Sequence, residues 1–122
     1  MKYLLDSVIV IDHFNGIEAA TQFLQDNGGE CALSVITRAE TLAGFTDETE
    51  PLALELLDNF PTLPVTREVA DLAARLRRTE RWKLPDAIQA AVAMQHELTL
   101  VTRNTRDFQA SETLGVLVPY GI

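Results

Sequence analysis

Short apolar runs alternate with longer amphipathic segments along the whole chain, and this alternation limits the folds open to it more than any other feature. Residues 2–6, 31–34, 61–65, 99–102 and 114–118 read as strands. Residues 17–26, 35–45, 51–60, 67–78 and 85–97 read as helices between them, and in 8–14, where β-branched residues make strand and helix compete, the Asp6-Ser7 cap favours a helical turn. Apolar residues in the helical segments recur three and four apart, as in Val69, Leu72, Ala73 and Leu76, or Ala87, Ile88, Ala91 and Val92. Strands that alternate with helices argue for an α/β sandwich around a parallel sheet. No repeat, low-complexity tract or linker interrupts the 122 residues, so one domain over 1–122 is expected.

Punctuation residues support these boundaries. Asp6-Ser7 and Ser34 suit helix caps, and Pro51 and Pro85 suit first turns. Asn27-Gly28-Gly29 is a stop signal. In 35–45, Thr37, Glu40, Thr41 and Gly44 share one face, on which Glu40 is expected to look outward from the core toward whatever faces the strand ends. Val35, Ala39, Leu42 and Phe45 lie opposite, read as core.

The hydrophobic fraction of 47% and the charged fraction of 23% are those of a globular protein. No apolar run approaches the roughly 18–20 residues of a membrane span. Asp6 breaks the first apolar stretch, so the N-terminal region does not resemble a secretory signal. The single Cys31 permits no internal disulfide and reads as a buried apolar residue. A cytoplasmic location is expected. The net charge is −8, but the charge is unevenly spread. Glu40 to Asp58 holds six acids and no base, whereas Arg67 to Lys83 holds six bases against three acids. The basic stretch lies directly before Asp86.

In four places an acid stands at the edge of an apolar run: Asp6, Glu40, Asp86 and Asp107. In parallel α/β folds, sites form at the carboxyl ends of strands. Asp6 ends the first predicted strand, Glu40 follows the second, and Asn104 and Asp107 follow the 99–102 strand. Each acid alone has an ordinary reading: Asp6 or Asp107 as a cap, Glu40 as a solvated helix residue, Asp86 as a charge favoured by the helix dipole. Together they suit a hard cation, Mg²⁺ or Mn²⁺, which takes oxygen ligands. Asp6, Glu40 and Asp86 would hold a first ion. Asp107, with Asn104 or Asp6, would serve a second ion or a water, in the manner of two-metal phosphodiesterases. There is no Gly-rich phosphate loop and no dinucleotide fingerprint. His13 and His96 read as bystanders.

The segments Leu4-Leu5-Asp6-Ser7 with Ile11-Asp12, Ser34-Val35-Ile36-Thr37 with Glu40, Lys83-Leu84-Pro85-Asp86-Ala87-Ile88 with Ala90-Ala91, and Leu100-Val101-Thr102-Arg103-Asn104 with Asp107-Phe108 occur in this order along essentially the whole chain. Together they resemble the PIN-domain ribonucleases, and within them the small toxins of VapBC-type toxin–antitoxin pairs. The resemblance implies a three-layer α/β/α fold with a central parallel sheet. It also implies a Mg²⁺- or Mn²⁺-dependent endoribonuclease, the toxin of a type II pair, that cuts RNA such as tRNA or rRNA and is blocked by a cognate antitoxin. By position Asp6, Glu40, Asp86 and Asp107 match the family's acidic site. One departure is Val8, where the family usually has a small polar residue. A non-catalytic PIN-like binding module is the alternative, and the four intact acids count against it.

Arg81 and Lys83, with Arg75, Arg77, Arg78 and Trp82 nearby, suit phosphate contact and base stacking. Arg103 and Arg106 flank Asn104, and all three are candidate RNA-binding residues. Leu52, Leu54, Leu56, Leu57 and Phe60 make one helix unusually apolar, suiting a homodimer or an antitoxin helix as well as the core.

Overall fold

The computed structural model describes residues 1–106, 108 and 114–121. Among these residues the chain forms strands β1 (Tyr3–Leu5), β2 (Cys31–Ser34), β3 (Thr62–Leu63), β4 (Thr99–Val101) and β5 (Val116–Leu117). The helices are α1 (Ser7–Phe14), α2 (Glu18–Asn27), α3 (Val35–Leu42), α4 (Glu50–Leu57), α5 (Arg67–Glu80) and α6 (Leu84–Gln95). The sheet order is β3-β2-β1-β4-β5 and every pairing is parallel. Leu4 is in register with Ala32 on one side and Leu100 on the other.

Alternation along the strands builds two cores. Leu4, Ala32 and Leu100 face α5 and α6, where they meet Val69, Ala73 and Val92. Leu5, Cys31, Leu33 and Val101 face the other way, toward Ile9, Leu24, Ala53 and Leu57 of α1, α2 and α4. Successive strand residues point to opposite faces, so a sheet covered on both sides needs apolar residues at every position. The result is the expected α/β/α sandwich. Ala87, Ala90, Ala91 and Ala93 are all fully buried, and such small side chains let α6 lie close against the sheet. Among the described residues no helix is long and apolar enough to cross a membrane.

Three local expectations need correction. Thr37 and Thr41 are buried, whereas Val35 is 38% exposed and Ala39 is also exposed. Both threonines of α3 therefore point inward: Thr37 meets Ser34, Gln89 and the Leu5 carbonyl oxygen at the strand ends, while Leu42 and Phe45 still pack on the core. Gly28 is right-handed at φ −54°, so α2 does not end on a left-handed glycine but runs into a 3₁₀ turn over Gly28–Glu30. Left-handed backbone follows other helices, at Gly16 (φ 82°) after α1, at Glu97 (φ 54°) after α6, and at Arg81 (φ 61°), which ends α5 two residues later than expected. Arg77 Nη1 donates to the carbonyl oxygens of Arg81 and Trp82 at 3.3 and 2.9 Å, stabilising that turn.

Candidate active site

Asp6, Ser34 and Thr102 each follow or end a parallel strand and point into one polar region at the sheet's carboxyl edge. Asp6 caps α1, its Oδ1 accepting from the Ser7 backbone N–H at 2.9 Å. Thr102 donates to Asp6 Oδ2 at 2.7 Å and accepts from the Asn104 N–H at 2.9 Å. Ser34 caps α3, accepting from the Thr37 N–H at 3.1 Å. Gln89 of α6 joins the group, donating to Asp6 Oδ1 at 3.4 Å and to Thr37 Oγ1 at 2.6 Å. Asp6, Ser34, Thr37, Gln89 and Thr102 are all nearly or fully buried. Buried polar groups demand partners, and here they supply them to one another.

Above this layer lies a cavity of about 290 Å³. Asp6, Glu40, Asp86, Asn104 and Lys83 line it, with Ser7, Val8 and Pro85 completing the wall. Three of the four acids singled out in the sequence, from β1–α1, α3 and α6, thus share one concave surface. Asp107 lies outside the described residues. Lys83 occupies the N-cap position of α6 and Asp86 its first turn. Val8 contributes apolar wall, and the donors that hold Asp6 come from Ser7, Gln89 and Thr102 instead. Among the described residues no set of three His, Cys, Asp or Glu side chains is arranged to hold an ion.

Much of the Glu40 side chain reaches solvent, although the residue lines the cavity. Loss of hydration holds its carboxyl above the usual carboxylate range; a hydrogen bond with Ser7 opposes the rise and the charge of Asp6 adds to it.

The other candidate residues are distributed differently. Arg103 pairs with Asp12, Nε to Oδ2 at 2.6 Å and Nη2 to Oδ1 at 2.8 Å, away from the cavity wall. Tyr120 donates to the same carboxylate at 2.8 Å. Arg103's hydrogen bond holds Asp12 below the usual range against the effect of burial, and burial beside Asp12 pushes the Tyr120 phenol up. Arg81 and Arg106 are exposed and do not line the cavity. Trp82 is half-buried and meets Phe108 edge-on, with ring centroids 5.9 Å apart. His13 Nδ1 lies 2.7 Å from Thr21 Oγ1, and His96 is the exposed C-cap of α6. The Cys31 thiol is 1% exposed and burial pushes it up to about 11, so it stays protonated at neutral pH.

Gln89, Thr37, Ser34 and Thr102 are site residues that the acidic pattern of the sequence does not mark. A signal for Gln89 existed: it is the polar residue in the otherwise apolar run Ala87 to Met94, one turn after Asp86.

The PIN domain family model matches residues 3–112. Ribonuclease VapC10 of Mycobacterium tuberculosis is 33% identical over 118 residues, which cover 91% of this chain and 89% of that protein. A chain of a toxin–antitoxin complex from Klebsiella pneumoniae is 36% identical with a TM-score of 0.90, covering 99% of this chain and 100% of the other. FitAcB from Neisseria gonorrhoeae is similar at 27% identity and a TM-score of 0.80, over 98% of this chain and 99% of that one. With its parallel sheet, its acids at the strand ends and these relatives, the chain belongs to the PIN-domain family, among the VapC-type proteins.

Proposed function

We propose that this protein is a Mg²⁺- or Mn²⁺-dependent endoribonuclease and the toxin of a type II toxin–antitoxin pair. The observation that carries the reading is the meeting of Asp6, Glu40, Asp86, Asn104 and Lys83 on one cavity at the carboxyl edge of the sheet. The name of the M. tuberculosis relative, a ribonuclease, and the toxin–antitoxin complex from K. pneumoniae point the same way. The donor set suits a hard cation. It offers carboxylate oxygens from Asp6, Glu40 and Asp86 and an amide oxygen from Asn104 on one concave wall.

Asp6, Glu40 and Asp86 line one cavity without being gathered into a closed ligand set, and they would supply the oxygens for the ion, with Asp107 as the fourth acid by its place in the motif. When bound, the ion neutralises phosphate charge and makes water a usable nucleophile near neutral pH. Thr102 and Gln89 keep Asp6 oriented through hydrogen bonds. Lys83 places a positive charge on the cavity wall, where a phosphodiester would enter. Asn104 lines the same wall and offers an amide to the ribose or phosphate. Arg81 and Arg106, on exposed turns, extend the positive surface for RNA, whether tRNA or rRNA. A homodimer, a cognate antitoxin covering the cavity and a cytoplasmic location complete the proposal.

Purified protein incubated with tRNA and rRNA should cleave in Mn²⁺ and not in chelator. Asp6→Asn and Asp86→Asn should each abolish cleavage while remaining folded. Cleavage at the parental rate by both variants would remove the site assignment.

A further inference from the structure

Gln89 sits where its helix otherwise buries alanine and valine, and it is 1% exposed. A primary amide in such a place is costly unless its groups are paired. Its pairing is directional. Asp6, when ionised, only accepts, so the NH₂ end of Gln89 must face it and Oε1 must turn away. Oε1 then accepts from the Ser34 hydroxyl, which in turn accepts from the Thr37 N–H. The NH₂ end also donates to Thr37 Oγ1, whose own proton goes to the Leu5 carbonyl oxygen at 3.0 Å. One amide therefore ties the end of β1, the end of β2 and the start of α3 to α6.

Those are the segments that carry the acids. Asp6 is bonded to Gln89 directly, Glu40 lies one turn beyond Thr37 on α3, and Asp86 lies one turn before Gln89 on α6. We propose that Gln89 is a positioning residue whose amide sets the mutual placement of Asp6, Glu40 and Asp86 and thereby the affinity of the cavity for a divalent cation. The proposal rests on the metal-dependent reading above.

The test uses the full chain as parent, Gln89→Met, Ser34→Ala and Asp86→Asn, with Mn²⁺ alone as the calorimetric probe and RNA cleavage in parallel. Methionine keeps the length and bulk of Gln89 without its hydrogen bonds. Ser34→Ala keeps Gln89 but removes the donor to Oε1, and it serves if Gln89→Met does not fold. Loss of a residue that orients a ligand should weaken Mn²⁺ binding by roughly 10- to 100-fold. The KM for RNA should not change, and excess Mn²⁺ should restore cleavage. A residue that only stabilised the fold would lower the melting temperature without moving Mn²⁺ affinity. Folded Gln89→Met, or Ser34→Ala in its place, with parental Mn²⁺ affinity would overturn the proposal, provided Asp86→Asn has lost binding. A parent that binds no Mn²⁺ would overturn the metal-dependent reading itself, and the role of Gln89 with it.

Discussion

Arg103 lies along Asp12 as a two-pronged pair, Nε and Nη2 at 2.6 and 2.8 Å from the two carboxylate oxygens. Tyr120 closes the group from the C-terminal segment. The Asp12 side chain is 5% exposed and that of Arg103 32%. This cluster joins α1, the segment after β4 that carries Asn104, and the chain beyond β5. Arg103, a candidate RNA-binding residue from its sequence position, here links α1 to the segment that bears Asn104.

Arg103→Ala should therefore act on stability. It leaves a buried carboxylate with a lost charge-assisted partner, at a cost of about 2 kcal/mol. A thermal melt should fall by roughly 6–10 °C for a domain of this size. Arg103→Lys should recover only part, because an ammonium cannot reproduce the fork. Unchanged melting with weakened RNA affinity in Arg103→Ala would return the residue to the substrate.

Acid should weaken the same cluster. Asp12 is depressed in the fold below its ordinary value of 3.8. Its contribution is present above that value and is lost as the pH falls through the depressed one. Melts of the parent and Asp12→Asn from about pH 5 down to about pH 2 should differ most at the upper end and converge at the lower. A gap that stays constant or widens in acid would contradict the pairing.

Glu40→Gln should separate stability from function. The substitution removes a desolvated anion beside Asp6, so the metal-free protein should melt at or above the parental temperature. The gain should be no more than about 1 kcal/mol, since water screens a side chain this exposed. The rise in melting temperature that Mn²⁺ gives the parent should shrink or vanish. A variant markedly less stable than the parent without metal would show that Glu40 supports the fold.

Thr41 Oγ1 is enclosed and has no hydrogen-bonding partner among the described residues. Thr41→Val keeps the shape and removes the unpaired hydroxyl, and it should stabilise the protein by about 1 kcal/mol. Denaturant titration would register this as a higher midpoint with an unchanged slope. A lower midpoint would mean that the hydroxyl is hydrogen-bonded in solution.

Trp82 is the sole tryptophan, and its edge-on contact with Phe108 makes it a reporter for that corner of the core. Phe108→Ala should cost about 3 kcal/mol and shift Trp82 emission to the red as water reaches the ring. Emission that does not move would contradict the packing of Trp82 against this side chain.

Local chemistry made most of the architecture legible. β2 spans the residues expected of it, and α1, α4 and α6 begin within one residue of the expected positions, because caps, prolines and apolar periodicity act over a few residues. The face of α3 was not legible. Periodicity assigns apolar residues inward, but the start of α3 packs over the strand ends, where Gln89 and the Leu5 carbonyl oxygen make the threonine at 37 the better inward residue. The left-handed Arg81 escaped for a similar reason: Arg77, a turn earlier, supplies the bonds that hold the turn without glycine.

For the site, the sequence alone determined which acids stand at strand and helix boundaries, since those positions follow from short-range pattern. Tertiary structure alone decided that Asp6, Glu40 and Asp86 share one wall, that Arg103 is committed to Asp12, and that Gln89 joins the acid-bearing segments. Those pairings span up to 91 residues of chain. They arise because a parallel sheet brings the ends of distant strands to one edge, where buried polar groups must find partners among whatever residues the fold has assembled there.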